Sequence, residues 1–178
     1  MQGLMMDAPL MVSLLLEHAA RVHGATAIVS RTVEGGIHRT TYAEAHGRAK
    51  RLAKALGRLG VRPGDRVGSL AWNTHHHFEL FYGVSGSGAV LHTINPRLFD
   101  EQLVYIANHA EDSWICLDGA TLAIAERIAP QLKSVKGWIY MSVDSEPPAS
   151  KLKPLSYERL IAVEDDQYEW PQFDERQA

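Results

Sequence analysis

Four short apolar runs, separated by stretches of helical periodicity, limit this chain's fold more than any other feature. They are Val67 to Trp72, Ala89 to Ile94, Trp114 to Leu117 and Trp138 to Met141. None alternates strictly between apolar and polar residues, which is the pattern of a strand covered on both faces. The intervening segments read as helices. One is capped by Asn73 or Thr74, runs to about Ser85, and turns Phe78, Phe81 and Tyr82 inward. A second starts at Asp100 and carries Leu103, Ile106, Ala107 and Ala110; a third spans Leu122 to Leu132. Strands alternating with helices predict an α/β fold: a mainly parallel sheet with helices on both faces and right-handed crossovers.

Upstream, the pattern is local and well punctuated. Ser13 to Val22 predicts a helix with Leu14, Leu15 and Ala19 on one side and Gly24 just past its end. Ala27 to Ser30 and Ile37 to Thr40 flank Gly35-Gly36, a hairpin signal. Thr41 and Glu44 match a capping box, and Ala45, Ala49, Leu52, Leu56 and Leu59 then recur on one helical face until Gly60 stops the helix. After Val143 the periodicity dissolves. Ser145 to Pro154 reads as a loop, Pro154 to Ile161 as a short docking element, and Glu164 to Ala178 as an acidic, aromatic tail. The expected division is an α/β unit over 1–143 and a linker and docking segment over 144–178.

Composition narrows the function. With a formal net charge of -3, the chain has no footprint for nucleic acid. Arg48, Lys50, Arg51, Lys54 and Arg58 cluster beside the apolar stripe of one helix and read as a solvated face. The single cysteine, Cys116, sits in an apolar run with no base beside it; it reads as packing, and its solitude fits a reducing, cytoplasmic compartment. No apolar run approaches the length of a membrane span. Met5, Met6 and the leucines that follow are interrupted by Asp7 and lack a basic start, so they make a poor signal peptide.

No complete catalytic set emerges. There is no G-x-x-x-x-G-K-[ST] loop and no G-x-S-x-G elbow. Gly83, Gly86 and Gly88 lie where a helix leads into a strand, the wrong order for a phosphate loop, and read as small residues that let a helix end pack on a strand. His75, His76 and His77 are consecutive on a helix, about 100° apart, so the three together cannot close one metal site. They are expected to meet solvent, a partner or a neighbouring domain, and no metal ligand is assigned. Asp65 and Asp112 read as loop residues. Asp118, at the carboxyl end of a strand where doubly wound sheets place ligands, reads first as a capping residue. Asn95-Pro96-Arg97 follows a buried strand and precedes a helix: Asn95 offers donors and acceptors, Pro96 stiffens the turn, and Arg97 presents a fork for phosphate. A salt bridge or an interface role for Arg97 is the competing reading.

Thr40-Thr41-Tyr42-Ala43-Glu44, Gly60 to Val67 and Gly88 to Leu98, continued by Tyr105-Ile106 and Asn108 to Asp112, together resemble the opening of the AMP-forming acyl-CoA synthetases. The run His92-Thr93-Ile94-Asn95-Pro96-Arg97-Leu98 is most similar to the medium- and long-chain fatty-acyl members and the methylmercaptopropionate-CoA ligases. The resemblance extends from about Leu14 to Ala178. It implies the N-terminal subdomain of the synthetase fold, truncated before the Ser/Thr/Gly-rich phosphate loop, with Trp170 to Arg176 similar to the run just upstream of that loop. It also implies an ATP-dependent acid–thiol ligase using ATP, Mg and CoA in the full-length enzyme, with none bound strongly by these residues alone. The implied partners are the remainder of the synthetase chain, a second copy in a homodimer and a fatty-acid or related carboxylate. Asn95, Pro96 and Arg97 are the residues this resemblance sets against the nucleotide end of CoA, although relatives carry a glycine-rich loop there. The rival reading is a stand-alone, non-catalytic interaction or dimerisation module on the same fold.

Overall fold

A computed structural model describes residues 8–144, 146–174 and 176 of the 178-residue chain. Met5, Met6, Asp7, Ser145, Glu175, Gln177 and Ala178, which figure in the sequence reading, lie outside the described residues.

The chain begins with α1 (Val12–Val22), a hairpin of β1 (Ala27–Arg31) and β2 (Ile37–Thr41), and α2 (Tyr42–Arg58). A parallel unit follows: β3 (Arg66–Leu70), α3 (His75–Gly86), β4 (Val90–Thr93), α4 (Asp100–Ala110), β5 (Trp114–Leu117), α5 (Leu122–Ile128) and β6 (Gly137–Tyr140). After a loop come β7 (Leu155–Ser156) and α6 (Tyr157–Ala162). The sheet order is β4-β3-β5-β6-β7, every pair parallel, and β1-β2 form a separate antiparallel ribbon. The predicted α/β architecture is therefore the observed one.

Two apolar layers sandwich the sheet, as alternation along each strand demands. Val67, Cys116 and Ile139 point to one side, where they meet Leu52 and Leu56 of α2, Leu80 and Val84 of α3, and Tyr157 and Ile161 of α6. Leu70, Ile115, Leu117 and Trp138 point to the other, against Leu103 of α4 and Ala125 and Ile128 of α5. A third cluster joins Leu16 of α1, Ala49 and Ala53 of α2, and Trp170.

The capping box forms as read: Glu44 N–H donates to Thr41 Oγ1 at 3.3 Å, and the Glu44 carboxylate accepts from Thr41 N–H at 2.8 Å. Gly60, at φ +85, makes the left-handed stop. Three expectations are corrected. On α1 the buried positions are Ser13 and Leu16, while Leu15 is 66% exposed, because one narrow stripe meets α2. Phe81 is 45% exposed, since α3 buries the face that carries Leu80, Gly83 and Val84 instead. The glycines of α3 serve its packing on other segments, not on a strand. A Cβ at Gly83 would meet Leu52 and the Ala49 carbonyl of α2, and one at Gly86 would lie 2.7 Å from the Trp170 ring.

Candidate functional site

The strand order places the topological switch between β3 and β5: the chain leaves β3 toward β4 and leaves β5 toward β6. Ligands of open α/β sheets bind outside the carboxyl ends of the strands at such a point. Here Asp118 closes it. Its Oδ2 accepts from Trp72 N–H at 2.7 Å, and its Oδ1 accepts from the N–H groups of Ala120 and Thr121 at 3.0 and 3.2 Å. Thr121 Oγ1 donates to the Leu70 carbonyl at 2.6 Å, which ties the two strand ends together. The capping reading of Asp118 holds, and a side chain with its acceptors so occupied has little left for a ligand.

The loop after β4 stands beside this closure. Asn95 Oδ1 accepts from Arg97 N–H at 3.0 Å and holds the turn. Asn95 and Arg97 are exposed and Pro96 half-buried. The Arg97 guanidinium lies 5.8 Å from the Trp72 ring centre, in cation–π range, and no carboxylate among the described residues pairs with it. Among the described residues, then, no salt bridge engages it. The helix that follows is no anion receptor: the first turn of α4 carries Asp100 and Glu101, and Arg127 grips Asp100 through two bonds of 2.9 Å. Any phosphate at this corner would be met by Arg97 itself.

Behind β4, His92 Nδ1–H donates to Asp112, whose carboxylate is fully buried, at 2.9 Å. That hydrogen bond favours the protonated ring and raises the His92 pKa above the usual value, against the opposing effect of burial. Cys116 is fully buried, and desolvation pushes its thiol up to about 12, in keeping with a packing role.

The three histidines and the basic helix face depart most from the sequence reading. His75, His76 and His77 are 3%, 3% and 5% exposed, not solvent-facing. His38 of β2 stacks on His75 with centroids 3.7 Å apart, and His75 lies 3.9 Å from His76. Arg48 is not a solvated residue either. Its Nε–H donates to Glu79 at 2.7 Å, and its two terminal nitrogens donate to both oxygens of Glu158 at 3.0 and 2.6 Å. Glu79, only 1% exposed, also accepts from Tyr157 O–H at 2.7 Å, and His76 Nε2 lies 2.9 Å from Glu158. Lys54 and Arg58 pair with Asp165 and Glu164. The basic face of α2 therefore grips α3, α6 and the segment after it. One signal was available in the sequence. Glu79 stands among Leu80, Gly83 and Val84 on the buried side of α3, and a carboxylate there requires a cation.

The comparisons agree with this architecture. The chain matches the family described as AMP-binding enzyme over residues 15–172. It is 46% identical, over its full length, to the 3-methylmercaptopropionyl-CoA ligase of Ruegeria lacuscaerulensis, of which it spans 33%. It is 44% identical, again over its full length, to the medium-chain-fatty-acid–CoA ligase of Ectopseudomonas oleovorans, of which it also spans 33%. The chain thus spans about a third of the length of these relatives. Among solved structures, an anthranilate CoA ligase in complex with anthranoyl-AMP superposes with a TM-score of 0.82 over 94% of this chain and 31% of that one, at 23% identity, a likeness of fold. With nearly every residue accounted for by one family, the chain belongs to the AMP-binding enzymes.

Proposed function

We propose that this chain is the N-terminal part of an ATP-dependent acyl-CoA ligase that joins a medium- or long-chain fatty acid, or a related short thioether carboxylate, to CoA. The observation that carries the proposal is the match of the whole chain, at 46% identity, to one third of a CoA ligase. ATP would supply the α-phosphate on which the carboxylate is activated, with pyrophosphate leaving, before the CoA thiol displaces AMP. This chain carries no phosphate-gripping loop, and none of its residues is assigned to ATP or Mg. Positioning and charge stabilisation at the phosphate supply most of the rate in such chemistry, so these residues alone form a wall and not a catalyst.

Asn95, Pro96 and Arg97 are the part of that wall with a role in recognition. Arg97 is exposed, has no carboxylate partner among the described residues, and is steadied by the Trp72 ring and by the turn that Asn95 holds. A guanidinium so placed would accept a CoA phosphate through two N–H donors without first breaking an ion pair. The remainder of the chain is the expected partner of this face, and a homodimer in the cytoplasm is the expected setting. In the full-length protein, Arg97→Ala should raise the KM for CoA about tenfold, the value of one charge-assisted hydrogen-bonded contact, with the KM for ATP unchanged. An unaltered CoA dependence would remove Arg97 from the site. Acyl-adenylate formation by the 178 residues alone would remove the wall reading. A full-length protein that is inactive toward every carboxylate would instead favour a binding module.

A further inference from the structure

We propose that His75, His76 and Glu158 form a binding site for one divalent transition-metal ion of the zinc class. Three consecutive histidines cannot surround one ion, but two of them with a carboxylate from another helix can. The fold brings that carboxylate in: one ligand atom from each of the three residues lies within 4.8 Å of the other two. Zinc bound at about 2.0–2.2 Å by nitrogen and oxygen sets its ligands roughly 3.3 Å apart, so modest side-chain rotation closes the set and water completes it. His76 Nε2 is already 2.9 Å from Glu158 Oε1.

Two observations independent of that spacing point to a cation. His75 is 3% exposed, yet its Nδ1 is buried with no hydrogen-bond partner among the described residues. A buried polar atom left without a partner is uncommon in a folded protein and asks for a ligand. The charge around the cluster is unbalanced. Glu79 and Glu158 converge on the single guanidinium of Arg48. Two carboxylates against one guanidinium leave a negative surplus.

Arg48 also acts as the outer support such sites require. Its fork engages both Glu158 oxygens and fixes the carboxylate plane, so an ion would take the place of the His76 contact on Oε1, the oxygen that His76 and Arg48 now share. Glu158 retains 25% side-chain exposure, which gives an ion a way in. Imidazole with carboxylate suits zinc, nickel or copper better than magnesium. A bound ion would tie α3 to α6 and so stiffen the attachment of the C-terminal segment.

The experiment is a titration of the chelator-stripped protein with Zn²⁺ against a chromophoric competitor, with Mg²⁺ in parallel. One equivalent of Zn²⁺ should bind and raise Tm, and Mg²⁺ should not compete. His75→Gln and Glu158→Gln should each weaken binding at least tenfold. His18→Gln, at the separate pair whose rings lie 6.3 Å apart, should leave it unchanged. Since either of the first two variants could loosen the fold, imidazole NMR of the unaltered protein supplies the second readout. Zn²⁺ should shift His75 and His76 before any other histidine. No saturable Zn²⁺ binding, or first shifts at His18 and His23, would overturn the proposal.

Discussion

Replacing Arg48 by methionine removes one cation and leaves a carboxylate stranded. Among the described residues, Glu79, 1% exposed, would keep only the Tyr157 hydroxyl as a donor, while Glu158 keeps His76 and its 25% side-chain exposure to water. Breaking a buried ion pair from one side costs about 3–5 kcal/mol, mostly the desolvation of the charge left behind. Arg48 itself is 24% exposed, and Tyr157 retains its bond to Glu79, so the lower end applies, about 3 kcal/mol. For a chain of this size that lowers Tm by roughly 6–12 °C. The double variant Arg48→Met/Glu79→Gln separates charge from packing. Glutamine keeps an oxygen for the Tyr157 hydroxyl but carries no charge, so the double variant should recover about 2 kcal/mol of the loss. Urea unfolding followed by tryptophan fluorescence measures both, with unchanged m-values as the sign that the folded state is intact. A loss under about 1 kcal/mol for the single variant, or a double variant as unstable as the single, would refute the claim that a buried charge drives the cost.

Two further outcomes are expected. The raised pKa of His92 contributes stability that is fully present below its unfolded value of about 6.5 and is lost as pH rises through the folded value. Because burial lowers the pKa of His75, His46 and His77 and so adds stability over the same range, the His92 contribution is read as a difference: the gap in urea midpoint between the unaltered protein and His92→Gln should narrow as pH is raised from 6 toward 8. A slope unchanged in His92→Gln would assign the dependence elsewhere. At Gly137 an added Cβ would collide with the Trp114 ring that lies across the parallel pair. Gly137→Ala should thus cost about 1–3 kcal/mol through overpacking, read by urea unfolding, and an unchanged midpoint would show that the ring moves freely aside.

Features whose causes lie within a few residues were legible in the sequence. The capping box needs only Thr41 and Glu44, and the stop at Gly60 needs only one residue able to take a positive φ. The parallel sheet was legible because a strand covered on both faces has no polar side, and β3, β5 and β6 announce that in four or five residues each. The Asn95 turn was legible too, since its hydrogen bond spans two residues. What stayed hidden depends on distant pairings. Arg48 and Glu158 are 110 positions apart, and nothing near either residue tells that the charge goes inward. The burial of His75 to His77 follows from where β2 and α6 land, not from the composition of α3. The two residues of β7 are too few for any period to declare them, although they extend the sheet and lead directly into the buried Tyr157. On α1, Leu14, Leu15 and Leu16 are equivalent in type, and only contact with α2 selects Leu16.

The central claim, that these residues are one wall of a longer ligase, is tested most directly by the mass of the native protein in its source cells, probed with an antibody raised against this chain. Spanning 33% of its relatives at 19.8 kDa, it should appear within a polypeptide roughly three times that mass. A band at 19.8 kDa alone would contradict the account and make the chain a protein that works without the ligase.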